Sequence, residues 1–423
     1  MKDGVFEERF GLKVVLNVVD PKSLRSIDKT SLGSVPKHSR EQIVKEGITA
    51  DFGIDIEQDL IHSLTGKSKD SKFGKTITGR DALSVAAKVD VNNIKDFLKL
   101  CIERYKSNDY KIDFGWIDQI TDIRSSKKTE ELNNLLLAKL NAGDVDKIWM
   151  AVPDVIDWVN IRGFRYIKHT AGDLKDDLDV QDFIAACAGR KMDIDFLKST
   201  LVYEISIQND EIVNSWSSFD CIYAEIEQGG KVYILNNSMW YEIVKDFTKQ
   251  VKDEFVNTEE ADMDFPDYNH EDEYKYNQAV PLITRDICCM DRKDINHGGG
   301  HSRVEFCDLL TKTKTIIHIK RYGGSSQLSH LFSQGVVSGE LFAADSGFRL
   351  KLNDELPAEY KLNNATIRPN PAEYEVVYGI ISKSNKKFDI PFFSKVSLRN
   401  AKRRLEGYGY RVRIKKIKNI KIN

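Results

Sequence analysis

At 423 residues, with 41% apolar and 30% charged side chains, the chain is too long for one ordinary core and too apolar to be disordered, so two or three globular domains are expected. No apolar run approaches the ~20 residues needed to cross a bilayer, and the opening MKDGVFEERF has no apolar signal core, so a cytoplasmic protein without membrane insertion or export is expected. The net charge of −2 hides an asymmetry: residues 253–273 hold ten acidic residues and no Lys or Arg, whereas AKRRLEGYGYRVRIKKIKNIKIN at 401–423 holds nine basic residues against Glu406.

In chain order, FGLKVVLNVVD (10–20) reads as a strand ending at the turn Asp20-Pro21. The polar loop at 65–79 contains Gly66-Lys67-Ser68. It is no phosphate-binding P-loop, because position 61, where the first glycine belongs, is Ile. ALSVAAKVD predicts a second strand. VNNIKDFLKLCIERYKSND predicts a helix whose apolar stripe includes Cys101, a core position rather than a nucleophile. EELNNLLLAKLNAG predicts a helix stopped by Gly143, followed by the strand KIWMAVP, and LDVQDFIAACAGRKM a further short helix. FDCIYAEIEQGGKVYILNNSMWYEI (219–243) predicts a hairpin turning at Gly229-Gly230, and VKDFTKQVKDEF a helix after it. This gives three parts: a mixed α+β domain at 1–200, a hairpin with connecting helix at 201–260, and a last domain at 261–423. Six cysteines without a framework spacing fit reduced thiols.

The chemistry concentrates after residue 268. YNHEDEYKYNQAV predicts a helix stopped by Pro281, and LITRDICCMD a strand. DRKDINHGGG is a glycine-rich turn, and SRVEFCDLLT and TIIHIKRY are two more strands joined by a basic turn. Gly323-Gly324-Ser325-Ser326 then opens the helix SQLSHLFSQG, which closes at Gly335. Residues 318 and 320 share a face of their strand because side chains alternate with period two. Asp308, on the neighbouring strand, is expected within roughly 4 to 8 Å of His318 and Lys320. Asp308 and His318 would hold a divalent metal, Glu273 would add a further ligand or orient a base, and Lys320 would stabilise developing negative charge. The Gly323–Ser326 nest at a helix N-terminus would receive a phosphate. His330 and Gln334, four apart on that helix, would be accessory. Glu305 alternates to the face opposite Asp308 and is expected to pair locally. A zinc site from Cys288, Cys289, His297, His301 and Cys307 lacks a tight C-x-x-C pair, but half of the eight histidines lie between 297 and 330, so it stays open.

The order helix, three strands, helix resembles the core of the restriction-endonuclease-like nucleases, the PD-(D/E)xK group. The resemblance assigns Asp308 to the single Asp, Lys320 to the motif lysine and Glu273 to the first-helix glutamate. It departs at His318, where that group has a carboxylate, and imidazole favours softer ions than Mg²⁺. The implied cofactor is Mg²⁺ or Mn²⁺. The implied activity is phosphodiester hydrolysis, with Arg321, Lys415, Lys416 and Lys418 contacting nucleic acid. FGLKVVLNVVDPKSLRSID, TGRDALSVAAKVD, IIHIKRYGGSSQLSHLFSQGVVSGELF and IPFFSKVSLRNAKRRLEGYGYRV also resemble a sporadically distributed bacterial family of unknown function. That resemblance implies a patchily inherited protein of the kind used in defence against foreign nucleic acid. Two alternatives stay open: a non-catalytic nucleic-acid-binding module on a degenerate nuclease fold, with His318 a satisfied core residue, and a nucleotide- or phosphate-ligand enzyme. A protein partner or an oligomer is compatible with all three.

Overall fold

The computed structural model describes residues 9–32, 37–153, 161–166, 174–187, 189–207, 210–296, 303–322, 325–384 and 387–421. The chain forms two compact units, Met1–Thr248 and Lys249–Asn423, and the fold class is α+β. No helix among the described residues is long and apolar enough to cross a membrane.

In the first unit, an antiparallel five-stranded sheet runs in the order 37–47, 19–31, 59–68, 76–79, 83–85. FGLKVVLNV, expected as a strand, is instead the helix Phe10–Val18. Its apolar run is too short for periodicity to separate the two states. Burial on most sides then selects the helix: Leu12, Val14, Val15 and Val18 are all buried. Asn17 fixes its end, donating to the carbonyls of Arg104 and Ser107 and accepting from the Tyr110 amide. Asp20-Pro21 does not end a strand but lies inside Val19–Ser31, where the pairing register shifts and a missing N–H is tolerated. Cys101 is buried in the helix Ile94–Lys106, as its stripe implied.

A second antiparallel sheet has the order 120–122, 239–243, 231–236, 222–228, 148–150. The hairpin at Gly229-Gly230 is present with both glycines at positive φ, and a second tight turn at Asn237-Ser238 extends it to a meander. Because its outer strands pair with Ile120–Asp122 and Ile148–Met150, this segment is built into the first unit rather than standing as a piece of its own. The helix Ser126–Asn141 packs Leu132, Leu136 and Leu140 into the same core and ends before Gly143, at φ +69°.

The second unit is a mixed five-stranded sheet in chain order, 287–289, 309–311, 315–321, 375–382, 411–418. The first three strands are antiparallel, and the last three run parallel. Each parallel pair is joined through a helix, Ser325–Ala344 and Phe392–Tyr408 respectively. Strand residues Ile316, Tyr378 and Ile380 cluster with these two helices. Ile317, Ile319 and Val377 cluster on the other face with Tyr276 and Val280 of the helix Glu273–Ile283. The alternating sides of one strand thus feed two cores.

Two helix limits differ from expectation. Pro281 lies inside the helix Glu273–Ile283 rather than stopping it. The helix beginning at Ser325 runs through Gly335 to Ala344. Gly335 serves close packing there, since a Cβ would collide with the buried Tyr378 phenol.

Candidate metal centre

The segment SRVEFCDLLT, expected as one strand, is two. Arg303–Glu305 pairs with Asp294–Asn296 in a separate ribbon, and Leu309–Thr311 joins the main sheet. The break at 306–308 resets the alternation, so the period-two argument that separated Glu305 from Asp308 no longer applies. Asp291, two residues past the first strand, joins them. The ligand oxygens of Asp291, Glu305 and Asp308 all lie within 4.8 Å of one another, on partly buried side chains. Asp291 and Glu305 were missed by the sequence reading. The signal that would have found them is a carboxylate just past a strand end, and an E-x-x-D spacing across the interruption.

Backbone bonds fix this cluster. Asp308 Oδ2 accepts from the Ile319 amide at 2.6 Å, and the Asp308 carbonyl accepts from the Met290 and Asp291 amides at 2.8 and 3.1 Å. The Arg292 amide donates to Glu305. Asn277, 1% exposed, donates from Nδ2 to Asp291 Oδ2 at 2.7 Å. Its Oδ1 is buried with no hydrogen-bond partner. With Nδ2 spent on the Asp291 carboxylate, an acceptor oxygen is left unpartnered next to Asp291.

The electrostatics are uncompensated. None of the three carboxylates makes an ion pair among the described residues. Burial pushes the Asp308 carboxyl well above its ordinary range, and Glu305, Asp291 and Glu273 push in the same direction. Burial also raises Glu305, against the Arg292 amide and with Asp291 and Asp294 adding to it. Like charges gathered without a counter-charge either take up protons or take a cation. The donor set is entirely oxygen, which fits Mg²⁺ or Mn²⁺ better than zinc.

Lys320 and Glu273 do meet: Nζ lies 2.7 Å from Oε2, and the Arg321 amide donates to Oε1 at 2.9 Å. Glu273 is the first residue of its helix, capped by Asp272, whose carboxylate accepts from the Lys275 amide. Glu273 therefore holds Lys320 and the strand end, while its charge still reaches Asp308. Arg321 is exposed, with Nε 3.8 Å from Glu273.

His318 is a correction. It is 3% exposed, with Nε2 3.2 Å from Ser338 Oγ and its ring against Tyr378, inside the core under the helix Ser325–Ala344. Burial lowers its pKa to about 4. It packs as a hydrogen-bonded core residue and is not among the clustered ligand atoms of Asp291, Glu305 and Asp308.

The basic tail is a second correction. Lys415 pairs with Glu260 at 3.1 Å and Arg413 with Glu259 at 2.9 Å, and Lys416 Nζ donates to the Ser384 carbonyl at 2.6 Å. Two residues of the basic end thus pair with the acidic stretch found in the sequence, and Lys418 stays exposed at the strand's end. His330 is exposed and Gln334 half-buried on the helix Ser325–Ala344. Gly323 and Gly324, the side chains of Ser325 and Ser326, and His297 and His301 lie outside the described residues.

The molecule is thus an α+β protein whose second unit carries an oxygen-rich acidic centre beside a glutamate-held lysine. The chain belongs to the family of unknown function DUF6119, whose model matches residues 1–418, in keeping with the resemblance in its sequence. No curated protein and no solved structure matches it.

Proposed function

We propose that the second unit is a divalent-metal-dependent phosphodiester hydrolase acting on nucleic acid, with a centre revised from the one the sequence suggested. The observation that carries this reading is the Asp291–Glu305–Asp308 cluster with the buried Asn277 oxygen beside it. The order of the sheet supports it: a helix, three antiparallel strands, a crossover helix and a parallel strand resembles the arrangement expected of a restriction-endonuclease-like core. The three carboxylates would hold Mg²⁺ or Mn²⁺. When bound, such an ion polarises a phosphoryl oxygen and lowers the pKa of water.

Lys320, kept in place by Glu273, would stabilise charge on the phosphorane-like transition state. The exposed Arg292 and Arg321, next in sequence to Asp291 and Lys320, would attract the polyanion in place of the tail lysines.

The test is incubation of plasmid, single-stranded DNA and RNA with the protein in Mg²⁺ or Mn²⁺. Cleavage should require the metal and disappear in Asp308→Asn. Equal cleavage by wild type and Asp308→Asn would rule the reading out. A second reading, metal and nucleic-acid binding without cleavage, is favoured by the lack of a carboxylate at position 318. It predicts metal-dependent binding with intact substrate.

A further inference from the structure

The first unit holds a charged cleft of about 490 Å³ on the face of its five-stranded sheet, bordered by the strand Ile120–Asp122. Five cationic side chains line it against three carboxylates. Lys29 is fully engaged: its Nζ sits 3.0 Å from Asp59 and 2.8 Å from the Gly53 carbonyl, and its side chain is 9% exposed. The arginines are engaged on one side only. Arg40 places Nε and one Nη on Asp28 at 2.6 and 2.8 Å, and Arg80 reaches the same carboxylate through one Nη. One buried Asp therefore anchors two guanidinium groups whose side chains are 69% and 57% exposed. Arg124 is held by Asp122 and Asp81. The Arg9 guanidinium bonds only the Ile61 carbonyl, at 3.4 Å, and has no carboxylate partner among the described residues.

These arginines come from four separate chain segments and converge on one concavity while retaining unused N–H groups. Lys29 is matched by Asp59 and Glu41, while two guanidinium groups share Asp28 and the Arg9 guanidinium has no carboxylate partner among the described residues. Planar guanidinium forks suit the oxygens of phosphate, and the volume falls within the roughly 300–1,000 Å³ of small-ligand pockets. We infer that this cleft binds a small phosphate-bearing ligand of nucleotide size, independently of the metal centre in the second unit.

Calorimetry of the full chain with inorganic pyrophosphate, nucleoside mono-, di- and triphosphates and a short 5′-phosphorylated oligonucleotide tests this. Binding of pyrophosphate or a nucleotide is expected, weakened about tenfold or more in Arg9→Ala and in Arg40→Ala, since each removes charge-assisted bonds worth about that factor. Arg40→Lys, which keeps the charge and loses the fork, should fall between Arg40→Ala and wild type. Arg40→Ala leaves Asp28 paired with Arg80, and Arg9 holds only a carbonyl, so both variants should melt near wild type. No heat with pyrophosphate or any nucleotide, binding of the oligonucleotide alone, or unchanged affinity in all three variants would overturn the proposal.

Discussion

Asp308 and Ile319 are tied across the hairpin of the second unit: the carboxylate takes the Ile319 amide at 2.6 Å, and one residue further on Lys320 is gripped by Glu273. Three consecutive residues of one strand, Ile319, Lys320 and Arg321, therefore hold the two carboxylates Asp308 and Glu273. A carboxylate retains acceptor capacity after one such bond. Rigid backbone anchoring of this kind keeps a ligand aimed without help from neighbouring cations.

Divalent metal should stabilise the protein in a pH-dependent way. Asp308 and Glu305 have folded pKa values raised above their unfolded ones, so the stability their protons contribute is present at low pH and lost as pH rises through the raised values. Mn²⁺ or Mg²⁺ bound at the proposed centre would replace those protons. The melting temperature should rise with metal near pH 8 and change little near pH 5, as scanning calorimetry would read.

Asp308→Asn should raise the melting temperature of the metal-free protein, by removing one charge from an uncompensated cluster, and should abolish the metal-induced shift. A metal response equal to wild type would remove Asp308 from the centre.

His318 should report on packing instead. Its pKa of about 4 lies below the ordinary 6.5, so its contribution to stability is full above pH 6.5 and is lost as pH falls toward 4. That window corresponds to roughly 3 kcal/mol. Urea unfolding across pH should show a shallower acid loss in His318→Gln than in wild type, with metal affinity unchanged. A large loss of metal affinity in His318→Gln would restore it as a ligand.

Gly335→Ala should cost about 1–3 kcal/mol, because its Cβ would meet the Tyr378 phenol, which is buried and donates to the Phe332 carbonyl at 3.1 Å. Denaturant midpoints compare it with Gly347→Ala, where the nearest atom to a new Cβ is the end of the Asp345 side chain.

The sequence made the second unit legible where elements are long. TIIHIKRY and the helix Lys245–Val256 lie where periodicity put them, and the helix after TIIHIKRY starts where expected but runs on to Ala344. It failed at Phe10–Val18, because a largely apolar stretch of nine residues satisfies either period, and burial decided. At the centre it named Lys320 and Glu273 without foreseeing that they bond each other, and it chose His318. Alternation along a strand names a face and cannot tell whether that face is covered by a helix. Glu305 was lost for the converse reason: alternation holds only while the strand is unbroken, and Phe306–Asp308 breaks it. The opposite charges of the two ends were visible, but their mutual pairing depends on contacts between residues about 150 apart.

That pairing sets an order of assembly. Residues 259–268 lie alongside the last strand, with Ala261 bonded to Ile414 at 2.9 Å and Tyr268 to Lys418 at 2.8 Å. This early segment of the second unit thus finds its partner only when the final strand arrives, and loop closure over that span delays the contact. During synthesis the acidic segment waits in solvent, where ten carboxylates and no cation keep it from adhering to other chains. The same segment then covers the outer amides of the finished sheet, so a chain cut short before Arg411 would lack both the strand and the means of sheltering its own edge.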